Sequence, residues 1–546
     1  MKQIVRVVVS VLAALVVLAL PVTAQDAVSD IVILPVNGAQ FLPGGMFDLR
    51  VEVVGVDALP EDFAVTVNGE DAADFFGMMD MEEASWTLGE DGPAVAGAAW
   101  RGLSLPESGE YEVSASAGGM TETVTWTARE IGMGGATNVI LFIADGGSVP
   151  AFTATRLLSR GMTEGTYNDR LVFEEFEELG LISTSGIDSI MTDSANSASS
   201  YNTGHKSSVN ATGVYADSSE DAYDDPRVET FAEMITRTRG MSVGVVATSY
   251  MQDATPAAVW GHSRERNSRS RCDFARALVG QPTLQNPFVD VMPAIALGGG
   301  AQYAQGPDID GSRCDGEIFE TDAFDLYEEA GYALTFTNTE LQEAVGGDAP
   351  IIGVYAPIDL NVWLDRNVYT DNLGDATDQP GLVDMVTASL DVLSTNDNGF
   401  YLQVEAASID KQFHPMDFER GLADAIEFER AVAATMDYLE EAGIADETLV
   451  IVTADHGHSF DVFGTVDTVA FNAAEDDNGR RDAIGVYAGA GFPTYADEDG
   501  DFFPDEWDTE ITLAMGKVEN PPFTEDYQVS EVPRTPSIRD ENGVAI

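Results

Sequence analysis

The stretch Asn138-Val139-Ile140-Leu141-Phe142-Ile143-Ala144-Asp145-Gly146 contains a short apolar run that ends in an acid. Two later runs, at 400–404 and 449–454, end in the same way before Glu405 and Asp455. Continuous apolar runs of this length, rich in β-branched residues, are typical of buried parallel strands. Since ligands lie outside the carboxyl ends of such strands, we expect the three acids in one crevice. Clustered like charges are costly unless cations neutralise them, so the pattern predicts a catalytic site with several metal ions.

The composition indicates a large globular protein with an extreme negative charge. The 546 residues are 44% hydrophobic, and 93 acidic residues outnumber 27 basic ones to give a net charge of −66. This charge argues against nucleic acid as a binding partner, because nucleic acid is held by basic surfaces. The only lysines are Lys2, Lys206, Lys411 and Lys517. Such a surface predicts a halophilic or marine protein, since salt screens the self-repulsion; an acidic exported protein from an ordinary habitat is the alternative.

Residues 1–24 have the pattern of a secretory signal peptide, with basic residues, an apolar run at 7–20 and a small-residue cleavage site that ends at Ala24. The run is short for a membrane span, which makes an uncleaved anchor the weaker alternative, and no later segment has the composition of a span. We therefore expect a periplasmic or extracellular protein. Export permits a disulfide between Cys272 and Cys314, the two cysteines of the chain, and two free buried thiols are the alternative.

The chain divides into two regions of different pattern. Residues 25–130 show short alternating segments such as 47–53 and 111–115 between Gly, Pro and Asp turns, which predicts a small immunoglobulin-like β-sandwich. This region carries no catalytic constellation, and its role is open between packing, attachment to a carbohydrate or surface, and spacing. From 131 to 546, strands alternate with helical patterns, which predicts a doubly wound, mainly parallel α/β domain with helices on both faces and an acidic insertion near 495–546.

Three further segments carry residue types that suit metal and phosphate chemistry. Ser194 opens a row of small residues that can start a helix, where free N–H groups bind phosphate oxygens, although serine-rich helix starts are common. Asp410 and His414 are spaced so that one helical turn can aim both at one ion; a solvated helix start is the alternative. The segment Asp455-His456-Gly457-His458 forms a metal corner at a strand end, with its second histidine as a ligand or as an outer partner.

Taken together, these segments resemble the alkaline phosphatase family, and the matching motifs follow the family's order from about 138 to 460. The motifs are 138–146, Thr192-Asp193-Ser194-Ala195, Thr203-Gly204-His205-Lys206, 253–258, 262–266, 405–414 and 453–458. The resemblance implies an alkaline-phosphatase-like fold that hydrolyses small phosphate monoesters through a phosphoserine and releases inorganic phosphate. It also implies a possible homodimer.

Carried over by position, the resemblance implies a role for each matching residue. The nucleophile, the phosphate-clamping arginine and the lysine of a water-mediated phosphate contact would be Ser194, Arg266 and Lys411. The ligands of the zinc that activates the serine would be Asp145, Asp455 and His456. A second zinc, which stabilises the leaving oxygen, would be held by Asp410 and His414. A magnesium ion, which Asp253 and Lys411 favour at the third site, would be held by Asp145, Thr255 and Glu405.

The pattern departs from the family at one metal ligand. The family supplies the second zinc with a third ligand, a histidine well downstream of the Asp-His motif, but none of the five histidines follows His458. A catalytic zinc normally has three protein ligands. Three alternatives stay open: the histidine lies beyond residue 546, a late acid replaces it, or the protein is a non-catalytic metal- or phosphate-binding surface protein. A phosphodiesterase of the same superfamily is the remaining rival.

The acidic stretch 497–508 spaces its acids in a manner that resembles the calcium loops of secreted proteins. Its possible calcium ligands are Asp497, Asp499, Asp501, Asp505 and Asp508. Phe502 stands where such loops have their turn glycine, so an acidic surface loop is the alternative.

Overall fold

A computed structural model of the protein describes residues 27–77, 80–130, 132, 134–280, 288–314, 321–485 and 492–517. The predicted signal peptide at 1–24 lies outside these residues, as does the end of the predicted acidic insertion, from 518 to 546. No helix within the described ranges is both long and apolar enough to cross a membrane.

The N-terminal β unit, residues 30–128, consists of two sheets that enclose one core. Its strands are β1 (Asp30–Leu34), β2 (Gln40–Phe41), β3 (Met46–Val54), β4 (Ala64–Val67), β5 (Glu70–Asp71), β6 (Glu82–Thr87), β7 (Ala94–Ser104), β8 (Gly109–Ala117) and β9 (Met120–Ala128), with a short helix α1 (Ala72–Phe76). One sheet has the order β1-β3-β7-β6 and the other β2-β9-β8-β4-β5. Phe47, Leu49 and Trp126 are buried between them, as the alternation at 47–53 predicts.

A seven-stranded parallel sheet forms the centre of the rest of the molecule. The strands of this region are β10 (Asn138–Ala144), β11 (Met162–Thr163), β12 (Thr166–Tyr167), β13 (Ser242–Tyr250), β14 (Ile295–Gly299), β15 (Ala333–Thr335), β16 (Ile351–Val354), β17 (Phe400–Ala406) and β18 (Thr448–Thr453). The order is β15-β16-β14-β13-β17-β10-β18, and each neighbouring pair is parallel. The three acid-terminated strands are therefore neighbours, with β10 between β17 and β18.

Helices cover both faces of this sheet. The helices of this region are α2 (Val149–Arg160), α3 (Ser194–Thr203), α4 (Phe231–Arg239), α5 (Ala254–Ala257), α6 (Ser268–Ala277), α7 (Ala301–Ala304), α8 (Ala323–Glu329), α9 (Asn338–Ala344), α10 (Trp363–Asn367), α11 (Leu382–Leu393), α12 (Ser408–Phe413), α13 (Phe418–Ala442), α14 (Thr468–Ala473) and α15 (Asp477–Ala483). Ile140 and Phe142 of β10 face one core, whereas Leu141 and Ile143 face the other. Burial on both faces explains the continuous apolar run, and the predicted α/β class is confirmed.

The segments that follow β18 form a small sheet of their own, and aromatic stacking joins the acidic insertion to the α/β unit. Strand β19 (Phe460–Asp467) pairs antiparallel with β20 (Ile484–Gly485) and β21 (Ile511–Lys517). Phe503 of the acidic insertion stacks on Trp363, with ring centroids 3.7 Å apart. The cysteines form the disulfide that the sequence permitted, Cys272–Cys314, with their Cα atoms 5.7 Å apart.

Candidate active site

Three strand ends bring acids of distant segments to one crevice. Asp145 directly follows β10, Glu405 is the penultimate residue of β17, and Asp455 lies two residues beyond β18. Ile143 of β10 is in register with Glu405 on one side and with Thr453 on the other. The three strands therefore end at the same level, and their acids face a common space.

Asp145, Asp455 and His456 form the first carboxylate–histidine cluster. His456 Nε2 lies 3.2 Å from Asp455 Oδ2 and 3.7 Å from Asp145 Oδ1. Ser194 Oγ lies 3.4 Å from His456 Nε2 and 3.5 Å from Asp145 Oδ2. Four donors bound at about 2.0 Å to a tetrahedral zinc ion are about 3.3 Å from one another. The distances found here, from 3.2 to 3.7 Å, are close to that spacing.

Burial makes this cluster electrostatically costly without a cation. Asp455 Oδ1 accepts two backbone N–H groups, whereas Asp455 Oδ2 and Asp145 Oδ1 are buried and accept no hydrogen bond from the described residues. Burial, and then the charge of Asp455, raise the pKa of Asp145 well above its ordinary value. Buried carboxylate oxygens that lack a hydrogen-bond donor and lie beside an imidazole are suitable ligands for a divalent metal ion.

The second cluster consists of Asp410, His414 and His458. Asp410 lies in α12, and one helical turn places its Oδ2 3.3 Å from His414 Nε2. His458 Nε2 lies 2.9 Å from Asp410 Oδ1, and the two histidine rings are nearly perpendicular, with centroids 4.4 Å apart. The structure thus places His458, which the sequence left open between a ligand and an outer partner, with Asp410 and His414 as a third donor. The sequence indicates this role of His458 through its spacing from His456: residues two positions apart in an extended segment point to the same side.

The third group, Asp145, Thr255 and Glu405, is buried and offers oxygen atoms alone. Thr255 lies in the short helix α5, which Asp253 caps, and Glu405 Oε2 accepts a hydrogen bond from Ser249 Oγ at 3.2 Å. Burial, and then the charge of Asp253, raise the pKa of Glu405 to about 8. Oxygen ligands of this kind suit magnesium better than zinc.

Ser194 is the first residue of helix α3, as the row of small residues predicts. The preceding Asp193 caps the helix by accepting the Asn196 N–H group at 3.0 Å. Ala195 and Ala198 are completely buried, so the small side chains allow this helix to lie directly against its neighbours. The free N–H groups and the positive end of the helix dipole favour an anion beside the serine hydroxyl.

Arg266 is held near the serine by two side-chain acceptors. Its Nε donates to Asn210 Oδ1 at 2.9 Å and its Nη2 to Asp193 Oδ2 at 3.0 Å. The same Asp193 oxygen accepts the backbone N–H of Asn210 at 3.0 Å, so helix cap, loop and arginine form one unit. The sequence analysis did not identify Asn210, whose φ of 72° lies in the left-handed region. Asparagine tolerates this conformation better than most residues do, and this preference is the feature of the sequence that could have indicated it.

Lys411 brings a second positive charge to the crevice. Its Nζ donates to Asp253 Oδ2 at 2.9 Å and lies 3.3 Å from Asp359 Oδ1. Burial alone would raise the pKa of Asp253, but the charges of Lys411 and Arg266 outweigh it and lower the pKa to about 2. Both cations line one cavity of about 290 Å³ together with Ser194. The groups predicted to bind phosphate and those predicted to bind metal ions therefore line one cavity.

The acidic loop has part of the geometry of a calcium site. Asp497, Asp499 and Asp501 each bring an oxygen within 4.8 Å of the others, whereas Asp505 accepts the backbone N–H of Glu498. The remaining predicted ligand, Asp508, is not part of the group of three. Phe502 has a left-handed φ of 75°, the conformation for which such loops use glycine. The calcium site stays a prediction.

A parallel sheet whose strand ends carry two carboxylate–histidine clusters beside a serine at a helix N-terminus defines an α/β enzyme of the phosphatase class. The family described as alkaline phosphatase matches residues 136–497, well over half of the chain. The chain belongs to the alkaline phosphatase family. The match extends beyond position 460, where the sequence motifs ended.

Curated relatives and a solved structure agree with this assignment. The chain is 32% identical to the streptomycin-6-phosphate phosphatase of Streptomyces griseus, over 59% of this chain and 74% of that protein. It is 31% identical to alkaline phosphatase H of Pseudomonas aeruginosa, over 59% of this chain and 70% of that protein. The crystal structure of Thermus thermophilus alkaline phosphatase shares the fold, with a TM-score of 0.50, 23% identity and coverage of 61% of this chain and 62% of that one. The chain is therefore a phosphatase.

Proposed function

We propose that the protein hydrolyses phosphate monoesters through a phosphoserine formed at Ser194. The observation that carries the proposal is the position of Ser194 Oγ, 3.4 Å from His456 Nε2 and 3.5 Å from Asp145 Oδ2. The same hydroxyl lies at a helix N-terminus and lines the cavity that holds Arg266 and Lys411. It thus has metal-ligating groups and phosphate-binding groups within reach.

The positive groups of the cavity favour a monoester over a diester. The planar guanidinium of Arg266 can donate two parallel N–H bonds to two phosphate oxygens, and Lys411 can reach the phosphate through a water molecule. A monoester offers three free oxygens and a double negative charge, whereas a diester offers two oxygens and a single charge. An arginine, a lysine and a helix N-terminus together match the greater charge. A phosphodiesterase activity is therefore the second candidate.

The donor sets fit two zinc ions and one magnesium ion. We assign the first zinc to Asp145, Asp455 and His456, the second to Asp410, His414 and His458, and the magnesium to Asp145, Thr255 and Glu405. Mixed carboxylate and imidazole donors suit zinc, and oxygen donors suit magnesium. When bound, the ions supply charge stabilisation for the entering and leaving oxygens of an in-line displacement. With His458 the second set has three donors, the number that catalytic zinc normally has.

In the proposed reaction the groups of this chain act in two displacements. Ser194 loses its proton, its oxygen forms a bond to phosphorus, and the ester P–O bond breaks as the alcohol leaves and takes up a proton. Water then attacks the phosphoserine, which regenerates the hydroxyl and releases inorganic phosphate. Arg266 and the free N–H groups of helix α3 keep hold of the phosphate oxygens through both steps.

Trapping of the phosphoenzyme tests this proposal. In Ser194→Ala the burst of p-nitrophenol and the acid-stable phosphoprotein should both disappear, and turnover should fall by at least about 10³-fold, the scale on which covalent nucleophiles act. Ser200→Ala is the matched control, because Ser200 lies on the same helix and donates to Asn196 O. A Ser194→Ala protein that keeps the burst or normal turnover would refute the nucleophile assignment.

We also propose that the protein is exported and adapted to high salt. The disulfide is typical of an oxidising compartment and supports the periplasmic or extracellular location that residues 1–24 predict. The net charge of −66 with four lysines supports a salt-adapted origin. The homodimer that the resemblance implies stays a prediction.

A further inference from the structure

The outward face of strand β3 in the N-terminal β unit is both charged and buried. The alternation at 47–53 predicts a polar face in solvent, yet Asp48, Arg50 and Glu52 are at most 2% exposed. Buried charges are costly unless they are paired. Arg101 of the same unit pairs with Asp48 at 3.0 Å. Further partners of all three side chains come from the segment at 213–229, which belongs to the phosphatase part of the chain.

Side chains of the β unit bond this segment at several points. Arg50 Nε lies 2.9 Å from Asp217 Oδ2, and both side chains are buried. Glu52 Oε1 accepts the backbone N–H of Ser218 at 3.0 Å, and Trp86 Nε1 donates to Ser218 Oγ at 3.1 Å. One short stretch is thus fixed by a cation, an anion and an indole of the N-terminal unit.

Backbone hydrogen bonds continue the contact as a ladder. Strand β1 pairs with β3 only at 50–54, which leaves the beginning of β3 open. There the Asp48 N–H donates to Arg227 O at 2.8 Å, and the Glu229 N–H donates to Met46 O at 2.9 Å. The Val228 N–H then donates to Gly213 O at 2.9 Å. The 227–229 segment therefore extends the sheet of the N-terminal unit into the catalytic region.

These backbone hydrogen bonds lead to the loop that carries Arg266. Thr212 and Ser263 exchange two backbone hydrogen bonds, of 2.8 and 2.9 Å; Thr212 lies two residues after Asn210, the acceptor of Arg266 Nε, and Ser263 lies three residues before Arg266. Arg264 Nη1 donates to two carbonyl groups of the fixed segment, Asp217 O at 3.1 Å and Ser219 O at 2.6 Å. The segment bonded to Arg50 is thus connected to the loop that carries Arg266.

We propose that the N-terminal β unit positions the phosphate clamp, and that Arg50 is a positioning residue that acts through the 213–229 segment on Arg266. The inference rests on the proposed function, in which Arg266 binds the substrate phosphate. A guanidinium binds two oxygens well only when its orientation is fixed, and small misplacements of such groups reduce binding and rate strongly. The unit is therefore part of the active-site architecture, rather than a spacer or an adhesive module.

A double-mutant cycle tests the proposal on the full-length, metal-loaded enzyme. The variants are Arg50→Lys, Arg266→Lys and the double variant. Arg50→Lys keeps the charge but removes the planar guanidinium, whose Nε forms the ion pair with Asp217 and whose Nη2 donates to Asp224 Oδ2 at 3.1 Å. The readouts are the inhibition constant of inorganic phosphate and the separate kcat and KM for p-nitrophenyl phosphate. We expect Arg50→Lys to weaken phosphate binding about three- to tenfold, the scale of coupling within one hydrogen-bond network, and to have little further effect once Arg266 is lysine.

Controls separate positioning from a general loss of stability. Arg160→Lys weakens another buried arginine–carboxylate pair, with Glu429 at 2.7 Å, and should leave phosphate binding unchanged. If Arg50→Lys does not fold, Trp86→Phe takes its place, because it removes one hydrogen bond to Ser218. It should weaken phosphate binding by a smaller factor, and again have little further effect once Arg266 is lysine.

The possible outcomes distinguish the two proposals. Two results would overturn the positioning role while leaving the proposed function intact. One is unchanged phosphate binding in both Arg50→Lys and Trp86→Phe; the other is an Arg50→Lys change that weakens phosphate binding equally in the wild type and in the Arg266→Lys variant. An Arg266→Lys enzyme with wild-type phosphate affinity would refute the phosphate clamp itself, and the positioning role with it.

Discussion

Removal of the metal ions should reverse the way in which the stability of this protein depends on pH. Without cations the crevice holds Asp145, Glu405 and Asp455 at neighbouring strand ends. Burial, and then the charge of Asp253, raise the pKa of Glu405 from 4.5 to about 8, and the pKa of Asp145 also lies well above its ordinary value. The metal-free protein therefore keeps protons in the crevice that the unfolded chain has already lost at neutral pH.

The sign and size follow from linkage. A raised folded-state pKa stabilises the protein fully below the unfolded value of 4.5, and this stabilisation is lost as the pH rises through about 8. Each tenfold difference in proton affinity is worth about 1.4 kcal/mol, so the raised pKa of Glu405 corresponds to at most about 5 kcal/mol. Bound metal requires deprotonated ligands, so the metal-loaded protein should instead gain stability as the ligands lose their protons.

Other groups set the background of this measurement. Burial, the first cause in each case, also raises the pKa of Asp225 and that of Asp424 to about 8, and both groups titrate whether or not metal is bound. The pKa of Asp253 is lowered to about 2, so its contribution is present above its unfolded value and is lost only as the pH falls towards 2. The informative quantity is therefore the difference between the chelated and the metal-loaded protein.

Urea unfolding with a chelator, and again with zinc and magnesium, measures this difference between about pH 5 and pH 9. We expect the unfolding free energy of the chelated protein to fall with pH by several kcal/mol more than that of the loaded protein, with at most about 4 kcal/mol from Glu405 alone over this pH range. Glu405→Gln is the matched variant, because the amide cannot titrate and should flatten the chelated curve. Parallel curves for the chelated and loaded proteins would refute the assignment of this crevice as a metal centre.

Two further predictions concern the second metal site and the disulfide. His458→Ala should lower the zinc content measured by atomic emission from two ions per chain to one, with magnesium retained; two zinc ions bound as tightly as before would contradict the ligand role. Replacement of Cys272 and Cys314 by serine should lower the unfolding free energy by up to about 4 kcal/mol, the chain-entropy estimate for a sequence separation of 42 residues. An unchanged urea midpoint would show that the cross-link adds no stability.

The sequence located the catalytic strands because burial on both faces leaves an unmistakable composition. The continuous apolar run of β10 and its counterparts in β17 and β18 predicted parallel strands, and the position of an acid after each run predicted a crevice. The helix start at Ser194 and the shared direction of Asp410 and His414 were visible for a similar local reason, since small residues or an i, i+4 pair have their effect within one turn. Since the chain has two cysteines, a disulfide within it could join only Cys272 to Cys314, but whether the bond forms was left open by the sequence.

The tertiary structure decided what depends on contacts between distant segments. The polar side of β3 reads as solvent-exposed because its partners, near Asp217, lie far along the chain, and local alternation carries no information about them. The sequence left His458 open between a metal ligand and an outer partner, and only the fold places it beside Asp410, where the end of β18 meets helix α12. By itself, then, the sequence determined the strands and the acids at their ends, and it predicted the nucleophile. The fold decided which side chains lie together and what holds Arg266, because both are set by distances between segments and not by the spacing within them.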